Sequence, residues 1–166
     1  MLKPPQNNEV FPECEGLLKA SEHASSFGQI VSVSDGFLQL DEPDGHADDG
    51  HWRRVVLMPV TNGIADAPEQ LDKVRGYRFR VRCDFMPPQL GEDETFDDIG
   101  LDLQAFLEGQ HQKVYEALHG KELTLTKAEQ LYKVKRLIPA GNMHREPDKG
   151  YRYMAAEYLT VLGPTN

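Results

Sequence analysis

Hydrophobic and charged residues alternate strictly near the middle of the chain, within a strand-like stretch that covers residues 74–85. The apolar positions are Tyr77, Phe79, Val81, Cys83 and Phe85, and the charged positions between them are Arg78, Arg80, Arg82 and Asp84. A period of two places these two sets on opposite faces of a β-strand. The pattern therefore predicts a strand with one face in a hydrophobic core and the other turned to water or to a partner.

A helical period follows this strand. Apolar residues recur at steps of three or four over residues 95–119, which predicts one long helix. Its predicted core positions include Phe96, Leu103, Phe106 and Val114. Thr95 with Asp98 matches a capping box at the start, and Gly120 suits the left-handed stop at the end. Gly100 and Gly109 each weaken such a helix by about 1 kcal/mol relative to alanine. Close packing against the sheet is the simpler interpretation of both glycines, and either also permits a bend.

The remaining pattern completes an α+β fold. It predicts a shorter helix over residues 11–25 and further strands over residues 29–40, 52–60, 131–138 and 151–162. We therefore expect an antiparallel or mixed β-sheet with the long helix (about 95–119) and the shorter N-terminal helix packed on one face. A chain of 166 residues is expected to form a single domain. Within it we expect a mobile N-terminal arm at residues 1–10 and polar loops at residues 41–50 and 140–150.

Charge and apolar content narrow the function classes. The formal net charge is −9, from 27 acidic and 18 basic residues. Because phosphate binding needs a cationic surface, this balance argues against a protein that wraps nucleic acid. No apolar run approaches the roughly 18 residues of a membrane span, and the start lacks the apolar segment of a secretion signal. We therefore expect synthesis in the cytoplasm and no membrane partner.

The nearest approach to a metal cluster is the acidic segment 41–51, which contains His46 and His51 beside Asp44 and Asp48. Carboxylate oxygens and imidazole nitrogens can together hold a divalent ion. The spacing, however, matches neither an EF-hand loop nor a zinc motif. A solvated acidic loop is the better interpretation, and the sequence predicts no metal and no cofactor.

Two other groups of residues suggest chemistry at first sight. His144, Arg145 and Glu146 share the loop at residues 140–150, but no nucleophile and no glycine-rich phosphate cradle accompanies them. We therefore predict no catalytic residue and do not expect an enzyme. The arginine ladder of the alternating strand suggests nucleic-acid binding, yet aromatic residues do not interleave with it on the same face. A solvated or subunit-contacting face is the better interpretation.

Three stretches resemble, in chain order, the tail terminator family of long-tailed, lambda-like bacteriophages. They are the strand pair at residues 52–60 and 77–85, the proline break at 86–88 leading into the helix at 95–119, and the polar loop at 145–150 leading into an aromatic strand at 151–161. The resemblance lies in order and pattern, without a catalytic motif. Residues 29–50 and 121–130 depart from it.

The resemblance implies a structural role in the virion tail or neck. Members of this family form a hexameric ring that caps the tail tube and stops its polymerisation at the length set by the tape measure protein. They then join the head-completion or connector proteins. The implied partners are thus the chain itself, the tail tube protein, the end of the tape measure protein and the head–tail connector, while DNA passes through the lumen without specific binding.

This role gives the polar residues expected positions. We expect the subunit interface to include Arg78, Arg80, Arg82 and Asp84, and the partner-facing loops to include Asp44, His46, Asp48, His144, Arg145 and Asp148. Two alternatives stay open. One is another phage neck, tail-completion or head–tail joining protein. The more remote one is a small metal-dependent enzyme that uses His46, His51 and nearby carboxylates.

Overall fold

The computed structural model describes residues 7–33, 52–60, 77–87, 90–98, 100–125, 130–145 and 151–162. Their helices are α1 (Asn7–Ala20), α2 (Ala24–Phe27) and α3 (Leu103–Leu118), and their strands are β1 (Gln29–Ser32), β2 (Trp52–Pro59), β3 (Arg78–Met86), β4 (Glu122–Leu125), β5 (Gln130–Ile138), β6 (His144–Arg145) and β7 (Arg152–Leu162). The predicted α+β class is confirmed.

The strands form one curled mixed sheet. Its order is β1-β2-β3-β7-β5-β4, and β6 pairs with β7 beyond the end of β5. β1 runs parallel to β2, and the other neighbouring pairs are antiparallel. β3 and β7 lie side by side at the centre. α1 and α3 contribute to one hydrophobic core with these strands, so the helices cover one face of the sheet, which we call the helix face. The opposite one is the second face.

The alternation of β3 decides which residues enter the core. Its apolar residues Phe79, Val81, Cys83 and Phe85 are buried on the helix face. Other predicted core residues behave in the same way, since Leu103 and Val114 of α3 are buried. The remaining three predicted core residues are partly buried and pack against this core, and they are Tyr77, Phe96 and Phe106. The ring centroid of Phe11 in α1 lies 5.8 Å from that of Phe79, edge to face.

The long helix begins later than expected. Thr95 and Asp98 do form the predicted capping box, because the Asp98 amide donates to Thr95 Oγ1 at 3.2 Å and the Thr95 amide donates to Asp98 Oδ2 at 2.8 Å. The turn that they begin stops at Gly100, whose φ is +72°. α3 then starts after Asp102, whose Oδ1 accepts from the Ala105 amide at 3.0 Å. A start at residue 95 was therefore wrong, and glycine at residue 100 explains the break.

Three smaller expectations also need correction. Residues 7–10 belong to α1, and Val10 is fully buried, so this part of the expected mobile arm is wrong. Residues 122–125 form β4, a strand that is missing from the expected set. The loop expected at 140–150 contains β6. The expected loop at 41–50 and the end of the strand region at 29–40 lie outside the described residues.

No described helix has both the length and the apolar character needed to cross a membrane.

Gly28 fixes how α2 leads into the sheet. Its φ is +68°, which favours glycine. A Cβ atom at this position would lie 2.3 Å from the backbone carbonyl oxygen of Arg53 in β2. Since backbone cannot move as a flexible side chain can, a larger residue would force the α2–β1 connection away from β2.

His111 is a buried polar residue of α3. Its Nε2 lies 2.6 Å from the carbonyl oxygen of Met154 in β7. A carbonyl oxygen only accepts, so Nε2 carries the proton in this pair. Burial lowers the pKa of the His111 imidazole, and the charge of Arg136 acts in the same direction against the opposing hydrogen bond. The folded environment therefore favours the neutral form of His111.

The first prediction concerns Gly28. We expect Gly28→Ala to lower the free energy of unfolding by about 2 kcal/mol or more, through backbone strain and the clash with Arg53. Gly109→Ala is the matched control, because a Cβ there meets nothing within 4 Å. It should raise stability by about 0.5–1 kcal/mol, since alanine is favoured in a helix. Urea denaturation measures both, and a Gly28→Ala variant as stable as the parent would contradict the close approach.

The second prediction concerns pH. Because the folded pKa of His111 lies below its ordinary value of 6.5, the unfolded chain takes up a proton first as pH falls. The contribution of neutral His111 to the free energy of unfolding is thus fully present above about pH 6.5. Below that pH the free energy of unfolding falls, by up to about 1.4 kcal/mol per pH unit. His111→Gln keeps a donor for Met154 without this titration. Its unfolding free energy should fall less between pH 7.5 and 5.5, and identical pH profiles for the two proteins would refute the assignment.

Candidate functional site

The second face of the sheet contains the charged residues of β3. The strand register sets them in rows with neighbouring strands. Arg54 of β2 pairs with Asp84, and Asp84 pairs with Tyr153 of β7. Further along β3, Arg80 pairs with Glu157 of β7. Cross-strand neighbours on one face lie close enough for their side chains to interact, so β3 receives charged partners from both sides.

Asp84 lies at the centre of a buried ion-pair network. Its Oδ2 accepts from Arg54 Nε at 2.5 Å, and its Oδ1 accepts from Arg82 Nε at 2.8 Å. Burial raises the pKa of the Asp84 carboxyl, and the guanidinium groups of Arg82 and Arg54 oppose that rise. For Arg82, burial works against the charge, but Asp84 outweighs it and raises the pKa of Arg82. Asp84 is only 2% exposed, so it is not turned to water or to a partner as the alternation had led us to expect.

Aromatic rings flank both guanidinium groups. The Arg54 guanidinium carbon lies 5.0 Å from the ring centroid of Trp52 and 5.3 Å from that of Tyr151. The Arg82 guanidinium carbon lies 4.9 Å from the ring centroid of Tyr153. Such cation–π contacts favour the charged side chains where water is scarce. The sequence analysis found no aromatic residues interleaved with the arginines because these rings come from other parts of the chain.

The other end of this face is more open. Arg78 Nε donates to Glu157 Oε2 at 2.8 Å, and Arg80 Nη2 lies 3.5 Å from Glu157 Oε1. The side chain of Arg80 remains 39% exposed. Lys135 of β5 is exposed and pairs with Leu159, which in turn pairs with Arg78. We call Arg78, Arg80 and Lys135 the basic stripe, in which three cations accompany the single carboxylate of Glu157.

A second charged surface lies between β3 and α3. It is an acidic turn whose exposed carboxylates are Glu92, Asp93, Glu94, Asp97 and Asp98. The Thr95–Asp98 capping box and the stop at Gly100 hold this segment in a turn apart from α3. The surface of the protein therefore presents a compact group of negative charge as well as the basic stripe.

The structure describes two of the residues expected in partner-facing loops. His144 and Arg145 form β6 and are exposed. The ring of His144 stacks on Tyr153, with 5.3 Å between ring centroids. These two positions thus adjoin the second face at the Asp84 end. The other expected loop residues lie outside the described part of the chain, and they are Asp44, His46, Asp48 and Asp148, together with His51.

One group with metal-ligating atoms occurs among the described residues, and the sequence analysis missed it. Glu22 and His23 lie in the turn between α1 and α2, and Glu116 lies on α3. One ligand atom from each residue falls within 4.8 Å of the other two. His23 and Glu116 are 93 positions apart in the chain, so no local spacing could have indicated that they meet. This group lies among the helices, and the arginine network lies on the second face of the sheet.

Comparison of the chain with protein-family models, with curated proteins and with solved structures found no match. The function is therefore argued from the charges and contacts of the chain itself and from the resemblance in the order of its elements.

The third prediction compares the two carboxylates of the second face. Asp84→Ala should lower the free energy of unfolding by about 3–5 kcal/mol, because it leaves Arg54 and Arg82 buried without their counter-ion. Glu157→Ala is the control on the same face and should cost about 1 kcal/mol, since Arg80 reaches water. Urea denaturation of both variants gives the comparison. Equal costs would show that the buried network does not differ energetically from a surface ion pair.

Proposed function

We propose that this chain is a tail terminator of a long-tailed bacteriophage, a structural protein that caps the tail tube as a ring. The observation that supports the proposal is the order of its elements. The antiparallel pair β2–β3 comes first, a proline-containing break and α3 follow, and the aromatic strand β7 returns to lie beside β3. These elements coincide with the three stretches that resemble the family.

The charge distribution suits ring assembly. A closed cyclic ring with more than two subunits needs two different, complementary patches on each subunit. The basic stripe and the acidic turn are two such patches, of opposite sign and on different parts of the chain. Complementary charge favours docking in one register and disfavours wrong partners. We propose that the basic stripe of one subunit meets the acidic turn of the next, which retains Arg78 and Arg80 as interface residues and leaves the buried Asp84 and Arg82 as their support.

The same charges support passage of DNA without tight binding. Nucleic-acid affinity depends on the number of cations that neutralise phosphates. Arg54 and Arg82 are bound to Asp84 and buried or nearly so, and Glu157 accepts from Arg78 and lies beside Arg80. Among the described residues, four arginines of this face thus already contact carboxylates, and the whole chain has a formal charge of −9.

The fourth prediction tests the ring. Wild-type protein should form a ring at high concentration, measured by size-exclusion chromatography with multi-angle light scattering and seen by negative-stain electron microscopy. Arg80→Glu with Lys135→Glu should leave a folded monomer, because like charges then face each other across the interface. Adding Glu92→Lys and Asp97→Lys to the same chain should restore the ring by exchanging the two signs.

The control for this test is a charge change of equal size elsewhere. Lys19→Glu with Arg53→Glu alters two exposed cations outside the basic stripe and should leave ring formation unchanged. A wild-type chain that stays monomeric at every concentration, and that binds duplex DNA with a steep salt dependence, would overturn the proposal in favour of a nucleic-acid-binding protein.

A further inference from the structure

We propose that Glu22, His23 and Glu116 form a binding site for one divalent transition-metal ion of the zinc type. This site is independent of the proposed ring function, because its residues belong to the helices and the basic stripe belongs to the sheet. The proposal stands on three features of the structure: the convergence of the ligand atoms, the charge balance of the donor set, and an adjoining cleft.

The ligand atoms of the three residues converge. His23 Nε2 lies 2.5 Å from Glu116 Oε2 and 3.5 Å from Glu22 Oε1. In a tetrahedral zinc site with bonds of about 2.1 Å, ligand atoms lie roughly 3.4 Å from one another. Exposed glutamate side chains can make the small adjustment required, since Glu22 and Glu116 are 84% and 49% exposed. The imidazole is less exposed, at 23%, and is the more fixed member.

The donor set suits a divalent ion better than it suits a proton. Nε2 of His23 can carry one proton and donate it to one carboxylate, and Glu116 Oε2 lies 2.5 Å from this nitrogen. Glu22, at 3.5 Å from the same nitrogen, is then too distant for a good hydrogen bond. A divalent cation would bind all three ligands at once, and its two positive charges would balance the two carboxylates. Imidazole together with carboxylate favours zinc and similar metals over magnesium, which prefers oxygen ligands alone.

The surrounding structure holds the histidine and leaves room beside it. The His23 amide donates to Ser21 Oγ at 3.0 Å, which fixes the turn after α1. A cleft of about 420 Å³ adjoins the three ligands and is lined by Leu17, Ala20, Ser21, Ala117 and Lys121 as well. Zinc sites with three protein ligands keep a fourth position for water or substrate. The cleft supplies the space for that fourth ligand.

The fifth prediction tests the site by isothermal titration calorimetry of the full chain with Zn²⁺. Wild-type protein should bind one ion, whereas Mg²⁺ at the same concentration should give no heat of binding. Glu22→Gln and Glu116→Gln should each weaken Zn²⁺ affinity at least about tenfold, the lower limit seen when even an outer-shell partner is removed. Zn²⁺ should also raise the melting temperature of wild-type protein, since binding to the folded state stabilises it.

Controls separate this site from other metal ligands in the sequence. His46→Ala with His51→Ala removes the histidines of the acidic segment and should leave the stoichiometry and affinity for Zn²⁺ unchanged. Glu22→Gln alters an 84% exposed side chain, so its melting temperature without metal should equal that of the parent. The proposal is overturned if wild-type protein takes up no Zn²⁺, or if Zn²⁺ affinity is lost in the His46/His51 variant and kept in Glu22→Gln and Glu116→Gln.

Discussion

The carboxylate of Asp84, buried between two guanidinium groups, is the constraint on which the centre of this fold depends. In a sheet, a slip of one residue moves every side chain to the opposite face. Such a slip of β3 would put Asp84 and the arginines into the hydrophobic core and would expose Phe79 and Val81. The ion pairs with Arg54 and Arg82 therefore add a penalty against wrong registers to the one that the apolar residues already supply. A buried carboxylate tolerates few arrangements, because it must keep its partners.

The features predicted from the sequence are those that local periodicity determines. The alternation along β3 predicted which residues enter the core, and the Thr95–Asp98 box formed the expected hydrogen bonds. The start of α3 was misplaced because a continuous apolar period does not reveal that Gly100 adopts a positive φ. The parallel pairing of β1 with β2 depends on a distant partner, which a single sequence does not show.

The difference between local pattern and distant contacts also explains which features of the candidate sites the sequence did not reveal. The sequence placed Arg78, Arg80, Arg82 and Asp84 on one face, and the structure does the same. Their exposure, however, is set by residues far along the chain, such as Glu157, which is 79 positions from Arg78. These partners divide the arginines into a buried network and a more exposed stripe, and only the stripe is accessible for the association proposed above. The Glu22–His23–Glu116 group likewise arises because α1 and α3 share a layer.

Along one of its edges β7 changes its pairing partner from β5 to β6, and this change affects how the sheet opens locally. Along one edge β7 pairs with β5, and beyond residues 139–143 it pairs with the exposed, two-residue β6. Near its far end Thr160 is held by two hydrogen bonds of 2.8 Å, one in each direction, with the backbone of Tyr77. Free energies of local opening follow the density of such contacts. The two-residue β6 should therefore exchange its amide hydrogens faster than the residues of β7 that lie between β3 and β5. β7 itself stays paired with β3 from Arg152 to Leu159, so one edge of the central strand is compliant where the other is fixed.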